Sequence, residues 1–330
     1  MSNRPSITTH GKQRASSSRA LGFVFVAVAT IGWMAYMARN VPVKIHPLPA
    51  QLVPSTTRLA ITAFVLMLAV DAFIVLATLW RHRHDVADSG RAQATPGWTH
   101  TTLRPRPTGF VTFGATALAS GLVFFGFGLI GLPLWLMAAA ALVPWIPLYL
   151  SEAAWQYRHY GAFALFGTLV LLQLGHLSEH VVQNIQLFVT HGKLAASRGV
   201  FGQLDVEAVH FYWNLAVWLG TGALLYRYGL RNVWLTIAFV AAGLHSVEHL
   251  YMYWQYATHS ASYLVGGWNG ILAQGGLVGS PLARPYLHLV YNVIEIAPFL
   301  IAYYDQSRLV FDRATALPRL KAAPARGEIA

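Results

Sequence analysis

The chain contains no cysteine, which rules out disulfides, thiolate-bound metals and cysteine nucleophiles. Any metal it holds must rest on nitrogen and oxygen. Charge is scarce as well. Only 11% of the 330 residues are Asp, Glu, Lys or Arg, against roughly 25% in an ordinary soluble domain. No glycine-rich nucleotide-binding loop occurs, so direct coupling to ATP or another nucleotide is not expected. Hydrophobic residues fill the gap at 55%, with a mean hydropathy of +0.47, and this places the chain in the membrane class. The 11 Trp, 15 Tyr and 17 Phe suit a protein that needs aromatic anchors at the membrane interfaces. A net charge of +11 raises the question of nucleic acid. No nucleic-acid-binding motif accompanies the arginines, however, and they fall between apolar runs, so the charge reads as topology and nucleic acid is not expected as a partner.

A helix needs roughly 20 mainly apolar residues to cross a bilayer. The sequence predicts about eight such spans, at 21–38, 59–80, 109–130, 133–150, 161–184, 208–227, 232–256 and 286–304. The first follows Lys12, Arg14 and Arg19 like a signal peptide, but no small-residue cleavage site comes after it, so it reads as a retained anchor. Lys and Arg counts set the orientation. With the N-terminus in the cytoplasm, only Arg39, Lys44, Arg58, Lys193, Arg198 and Arg284 lie outside; the other 17 of the 23 lie inside. The expected protein is therefore an all-α, multi-pass protein of the cytoplasmic membrane with both termini cytoplasmic.

This reading divides the chain into six segments. Residues 1–18 form a disordered cytoplasmic tail, 19–84 a two-helix membrane unit and 85–107 a polar cytoplasmic loop. Residues 108–160 form a helical hairpin turned at Gly131-Leu-Pro133. Residues 161–307 form a four-helix unit, and 308–330 a second tail. The glycine-rich outer loops 185–207 and 258–285 are candidate lids.

The chemistry concentrates in 161–307. His176-Leu-Ser-Glu179-His180 and His245-Ser-Val-Glu248-His249 both have the form HxxEH, 69 residues apart. Steps of three and four residues put all three side chains on one helix face. The intervening spans repeat too: His210-Phe-Tyr-Trp-Asn214 and His288-Leu-Val-Tyr-Asn292 stand 78 residues apart, and Glu295 follows on the face of His288. The order HxxEH helix, then HxxxN helix, occurs twice, so spans five to eight read as a duplicated four-helix bundle. At 1.5 Å per residue, Glu179 and Glu248 lie about 25 Å from the cytoplasmic ends of their spans, while His210 and His288 lie within about 5 Å of the outer surface. All four motifs thus fall in the outer half of the bilayer.

Ionisable groups inside a membrane cost several kcal/mol unless compensated, and they default to functional readings. Metal compensates carboxylate and imidazole together, and facing Glu/His helices are how four-helix bundles build dinuclear sites. The expected ligands are His176, Glu179, His180, His245, Glu248, His249 and Glu295. His210 and His288 complete the set or act as acid/base, and Asn214 and Asn292 fix imidazole orientation from behind. The blander account is a hydrogen-bond network of these residues with Gln183 or Gln186. Loop residues His46, His191 and His259 read as solvated, and His82, His84 and His100 go with the basic cytoplasmic face. Asp71 either accepts from a neighbouring Thr or Trp or belongs to a proton path. Tyr251, Tyr253 and Trp254 read as packing and interface residues.

The clustered histidines on membrane helices resemble the histidine-box di-iron enzymes of membranes, the desaturases and alkane hydroxylases, which implies oxidative chemistry on an apolar substrate. The boxes of that class are HxxxH and HxxHH and face the cytoplasm, whereas these are HxxEH and lie near the outer face. HxxEH is also the inverted zinc-peptidase motif, against which two copies in one bundle argue. Three expectations follow. The first is a metal-dependent oxidoreductase acting on a lipid or small apolar substrate, with one or two divalent ions of iron, copper or zinc. The second is a metal-binding or metal-handling subunit of a larger membrane complex. The third is an electron-transfer subunit with haem between pairs of histidines.

Overall fold

Apolar runs broken by glycine and proline set the helix boundaries throughout. The computed structural model describes residues 9–44, 53–82, 109–258 and 270–322, and among these the only regular structure is helix. Helices α1 (Thr9–Asn40), α2 (Val53–Arg81) and α3 (Phe110–Leu129) come first. They are followed by α4 (Leu134–Leu142), α5 (Trp145–Tyr160) and α6 (Phe163–Val189). The last three are α7 (Gly202–Tyr228), α8 (Val233–Thr258) and α9 (Arg284–Ala322). Six are long and apolar enough to cross a membrane: α1, α2, α3, α6, α8 and α9.

The other two expected spans differ from the sequence reading in instructive ways. The fourth, read at 133–150, is two helices, α4 and α5, bent by 47° at their break. Pro144 stands at the break and Pro147 just beyond it. A proline inside a helix removes a backbone donor and clashes with the turn before it. The sixth corresponds to α7, which is 27 residues long but is not among the six apolar helices. Its first half carries Asp205, Glu207, His210 and Asn214, which dilute its hydropathy. Helix α1 begins at Thr9, inside the segment expected to be a tail, and α9 runs to Ala322, inside the other. The polar loop 85–107 lies outside the described residues.

Helices α6 to α9 close into a ring in which α7 packs on α6 and α8, and α9 on α8 and α6. One end of this bundle is filled by Phe163, Phe166, Leu224, Leu225, Leu235, Phe239 and Phe299, all nearly or fully buried. The stacked pair Phe163 and Tyr303 and the tilted pair Phe166 and Phe299 close that end with aromatic contacts. Burial of each such large side chain contributes about 2 kcal/mol relative to exposure in water. Around the ring, α1 packs on α9, α2 on α7 and α8, and α5 on α6, while α3 rests on α4. Arg19 of α1 pairs with Asp305 of α9, and Tyr286 donates to the Val41 carbonyl at 2.8 Å. Asp71 of α2 accepts from the Trp218 indole at 2.9 Å, so the lone acid of the second span ties α2 to α7.

Candidate metal centre

The opposite end of the bundle is polar. His176, His180, His210, His245, His249 and His288 come from four helices, and none is more than 2% exposed. They form two triads, His176/His180/His210 and His245/His249/His288, in each of which one nitrogen per residue lies within 4.8 Å of the others. The triads touch. His176 stacks on His245 with ring centroids 5.6 Å apart and planes 9° from parallel. His210 stacks on His249 at 5.6 Å and 12°, and His180 meets His288 at 5.5 Å. The six rings therefore make one cluster. The residues set aside in the sequence as completing the set or acting as acid/base, His210 and His288, supply the third member of each triad.

Within each triad the two HxxEH histidines face each other nitrogen to nitrogen, at a spacing that serves either an imidazole–imidazole hydrogen bond or two ligands of one cation. In the HxxEH pairs, Nε2 of His176 lies 3.2 Å from Nε2 of His180, and Nε2 of His245 lies 3.2 Å from Nε2 of His249. Metal–imidazole bonds of 2.0–2.1 Å in a tetrahedron give an edge of about 3.3 Å. Three Nδ1–H groups are fixed by acceptors behind the rings. His180 donates to Gln183 Oε1 at 2.8 Å, His210 to the Val206 carbonyl at 2.6 Å, and His245 to Glu295 Oε2 at 3.0 Å. That fixes the tautomer leaving Nε2 with its lone pair, the form that binds metal. Nε2 of His210 and of His288 is buried with no hydrogen-bond partner among the described residues. A buried polar atom without a partner costs about 1–3 kcal/mol, and coordination to a cation would remove that cost.

The glutamates of the HxxEH motifs have another occupation. Glu179 accepts backbone N–H bonds from Val200 at 2.8 Å, Phe201 at 3.3 Å and Gly202 at 2.9 Å. Glu248 accepts from Ile271 at 2.8 Å and Leu272 at 3.3 Å. Each carboxylate is thus gripped by the connection leaving its own helix, and neither belongs to a histidine triad. The grip requires glycine. Gly199 has φ +79° and Gly270 φ +83°, and a Cβ at either would overlap the carboxylate of Glu179 or Glu248. This grip was missed in the sequence, although a signal was present: Gly199-Val-Phe-Gly202-Gln203 and Gly270-Ile-Leu-Ala273-Gln274 share one pattern, 71 residues apart.

Asn214 and Asn292 do not hold imidazoles. Each amide donates to a backbone carbonyl one turn earlier, that of His210 at 2.8 Å and of His288 at 2.9 Å. Asn292 Oδ1 also accepts from Gln173 at 3.1 Å. Gln183, Glu295 and the Val206 carbonyl perform the orienting task instead, so Glu295, expected as a ligand, stands behind His245 in this structure. Aromatic rings wall the cluster at matching positions, with Trp213 stacked on His176 at 5.5 Å and Tyr291 5.2 Å from His245. Over the start of α7 and α9, Arg284 forms a two-pronged ion pair with Glu207 at 2.5 and 2.8 Å. Glu207 is only 2% exposed. Asp205 stands at a non-helical break after the first turn of α7 and caps the part that follows, accepting from the N–H groups of Glu207 and Ala208 and also from the Tyr256 hydroxyl.

Among the remaining histidines, His191 is exposed and His82 donates to the Tyr226 carbonyl at 3.2 Å. His46, His84, His100 and His259 lie outside the described residues. Tyr251 is buried as packing, while Trp254 is 53% exposed. No protein-family model matches the chain, and no curated protein or solved structure matches it either.

Proposed function

We propose that this chain is a multi-pass protein of the cytoplasmic membrane whose duplicated four-helix unit holds two transition-metal ions, one per histidine triad, and uses them to oxidise a lipid or small apolar substrate, each ion taking one electron and passing it to an external acceptor such as dioxygen. The observation that carries the reading is the pair of buried triads in ring contact, with facing Nε2 atoms and backed Nδ1–H groups. Three imidazoles leave a coordination position open, as in catalytic rather than structural metal sites. In this reading α7 crosses as the eighth span, its polar residues turned to the cluster, and both termini are cytoplasmic.

Charge supports cations here. Glu179, Glu248 and Glu295 are buried beside the cluster, and among the described residues none of the three is paired with a Lys or Arg side chain, as Glu207 is with Arg284. Two divalent ions would offset the three remaining carboxylates, whereas six neutral imidazoles do not. With the carboxylates of Glu179 and Glu248 held by loop amides, the inner ligand set is all imidazole. That set suits copper or zinc better than the carboxylate-bearing iron sites, and zinc does not change oxidation state. Copper is therefore the metal of this proposal. Haem fits poorly, because ring centroids about the cluster stand 4.8 to 6.3 Å apart and leave no slot for a macrocycle.

The second reading, a metal-handling subunit of a larger complex, draws on α3, none of whose residues is buried. Metal per chain, with visible and electron-spin spectra of purified protein before and after reduction, separates these readings. Two copper ions that cycle between oxidised and reduced states support the oxidoreductase. Tightly held but redox-silent metal favours the handling role, a Soret band means haem, and protein free of metal at full copper supply refutes the site.

A further inference from the structure

The two triads are built alike but not backed alike. On the face of His245, Glu295 Oε2 lies 3.0 Å from Nδ1, with both side chains almost wholly buried. Among the described residues, no protein group bonds Nδ1 of the matching His176. The reason is legible in the repeat: 78 residues before Glu295, the offset that relates His210 to His288 and Asn214 to Asn292, stands Val217. The His176 triad is backed instead by a neutral amide, Gln183, on His180, where the other half has Met252 at the 69-residue offset. One triad therefore leans on a carboxylate and the other on an amide and a carbonyl.

A carboxylate behind a ligating histidine fixes its ring and raises its basicity, and removing such a partner typically lowers metal affinity 10- to 100-fold. The negative charge lies on the far side of the imidazole in a water-poor interior, where it is screened less than at a surface. We infer that the two triads are metal sites of unequal strength, with Glu295 the positioning residue that makes His245/His249/His288 the tighter site and leaves His176/His180/His210 as the one whose ion exchanges. This rests on the metal reading above. It divides the labour of the pair: one ion is resident, and the other can leave, change partners or yield its open position to a ligand.

The test is a titration of metal-stripped protein with Co(II), whose visible bands report a tetrahedral nitrogen site, followed on wild type, Glu295→Gln, His176→Ala and His245→Ala. Wild type should fill in two steps whose affinities differ at least tenfold. Glu295→Gln should weaken the first step 10- to 100-fold, shift its band and merge the two steps, while the protein elutes and melts as a folded species. His176→Ala should lose the second step and keep the first, and His245→Ala should lose the first. Two equal steps that Glu295→Gln leaves unmoved would overturn the inequality while sparing the metal reading. A Glu295→Gln protein that weakens both steps alike and melts early would show a merely structural role and overturn it as well. Binding of no Co(II), Zn(II) or copper by the folded wild type would remove the metal reading and this inference together.

Discussion

Replacing Gly199 by alanine probes whether the grip on Glu179 is a structural requirement. Gly199 sits at φ +79°, where a residue with a Cβ costs about 1–2 kcal/mol. The new Cβ would also overlap the Glu179 carboxylate, which must then swing away from the short bonds to Val200 and Gly202. Hydrogen bonds to a charged group contribute about 1.5 kcal/mol or more each, so the total loss is about 4 kcal/mol. At an unfolding entropy of about 2.1 cal/mol/K per residue, a chain of 330 residues shifts by roughly 1.5 °C per kcal/mol, so the melting temperature in detergent should fall by about 6 °C. Gly202→Ala is the internal control. Its Cβ would approach Val206 Cγ2 at 3.3 Å and Glu179 Oε1 at 3.4 Å, in a helix, and alanine already stands at the corresponding Ala273. Gly202 has no positive φ to be strained and its new Cβ would meet only contacts of 3.3 Å and beyond, so Gly202→Ala should melt close to wild type. Thermal unfolding followed by tryptophan fluorescence measures both. If the two variants melt together, the close approach of Gly199 to the carboxylate has no energetic weight and the argument fails.

His288→Ala should reduce bound metal from two ions per chain to one in elemental analysis, since the His176 triad keeps all its members; full loss would mean a single shared site. Stripping the metal with a chelator should lower the melting temperature and re-addition restore it, by about 2.7 kcal/mol of stabilisation at a hundredfold excess over Kd; a temperature that does not move argues against coordination in the folded state. Arg284→Ala leaves Glu207 buried without its partner and should cost about 3–5 kcal/mol, whereas Arg284→Met with Glu207→Gln should recover much of it; equal melting of the single and double variants would contradict the pairing. Reporter fusions at residues 195 and 270 should read as external, and an internal signal at either would overturn the proposed orientation.

The helices were legible because their signal is long and redundant. A run such as 161–184 needs only hydropathy to announce itself, and the structure extends it to Phe163–Val189. What hydropathy could not show was the bend between α4 and α5, because Pro144 sits in an apolar run that counts as one span by composition alone. Hydropathy also leaves out α7, because its inward-facing polar residues lower an average taken around the helix. The ends of α1 and α9 were hidden for a similar reason: the basic stretches of 9–18 and 308–322 resemble solvated tails by composition, yet charge does not prevent an apolar helix from continuing into them.

The sequence named the residues that gather at the polar end, and the structure adds contacts of the glutamates that spacing could not reveal, for a physical reason. From spacing alone, His176, Glu179 and His180 share one face, and a buried carboxylate demands compensation. Metal was the compensation that a reader of helices could supply. The structure supplies another, the free N–H groups of a turn 21 to 23 residues downstream, which no helical periodicity can reveal because they belong to the backbone. Once those amides take Glu179 and Glu248, the glutamates become the fasteners that hold each connection against its own helix, and His210 and the segment that leads to His288 are positioned through them. Glu295 is the exception that supports the rule. It has no counterpart in the first half and no backbone turn to hold it, and its carboxylate turns to an imidazole. Three buried acids on the same polar end of one bundle therefore do two different kinds of work, and the distinction follows from which hydrogen-bond donor lies within reach of each.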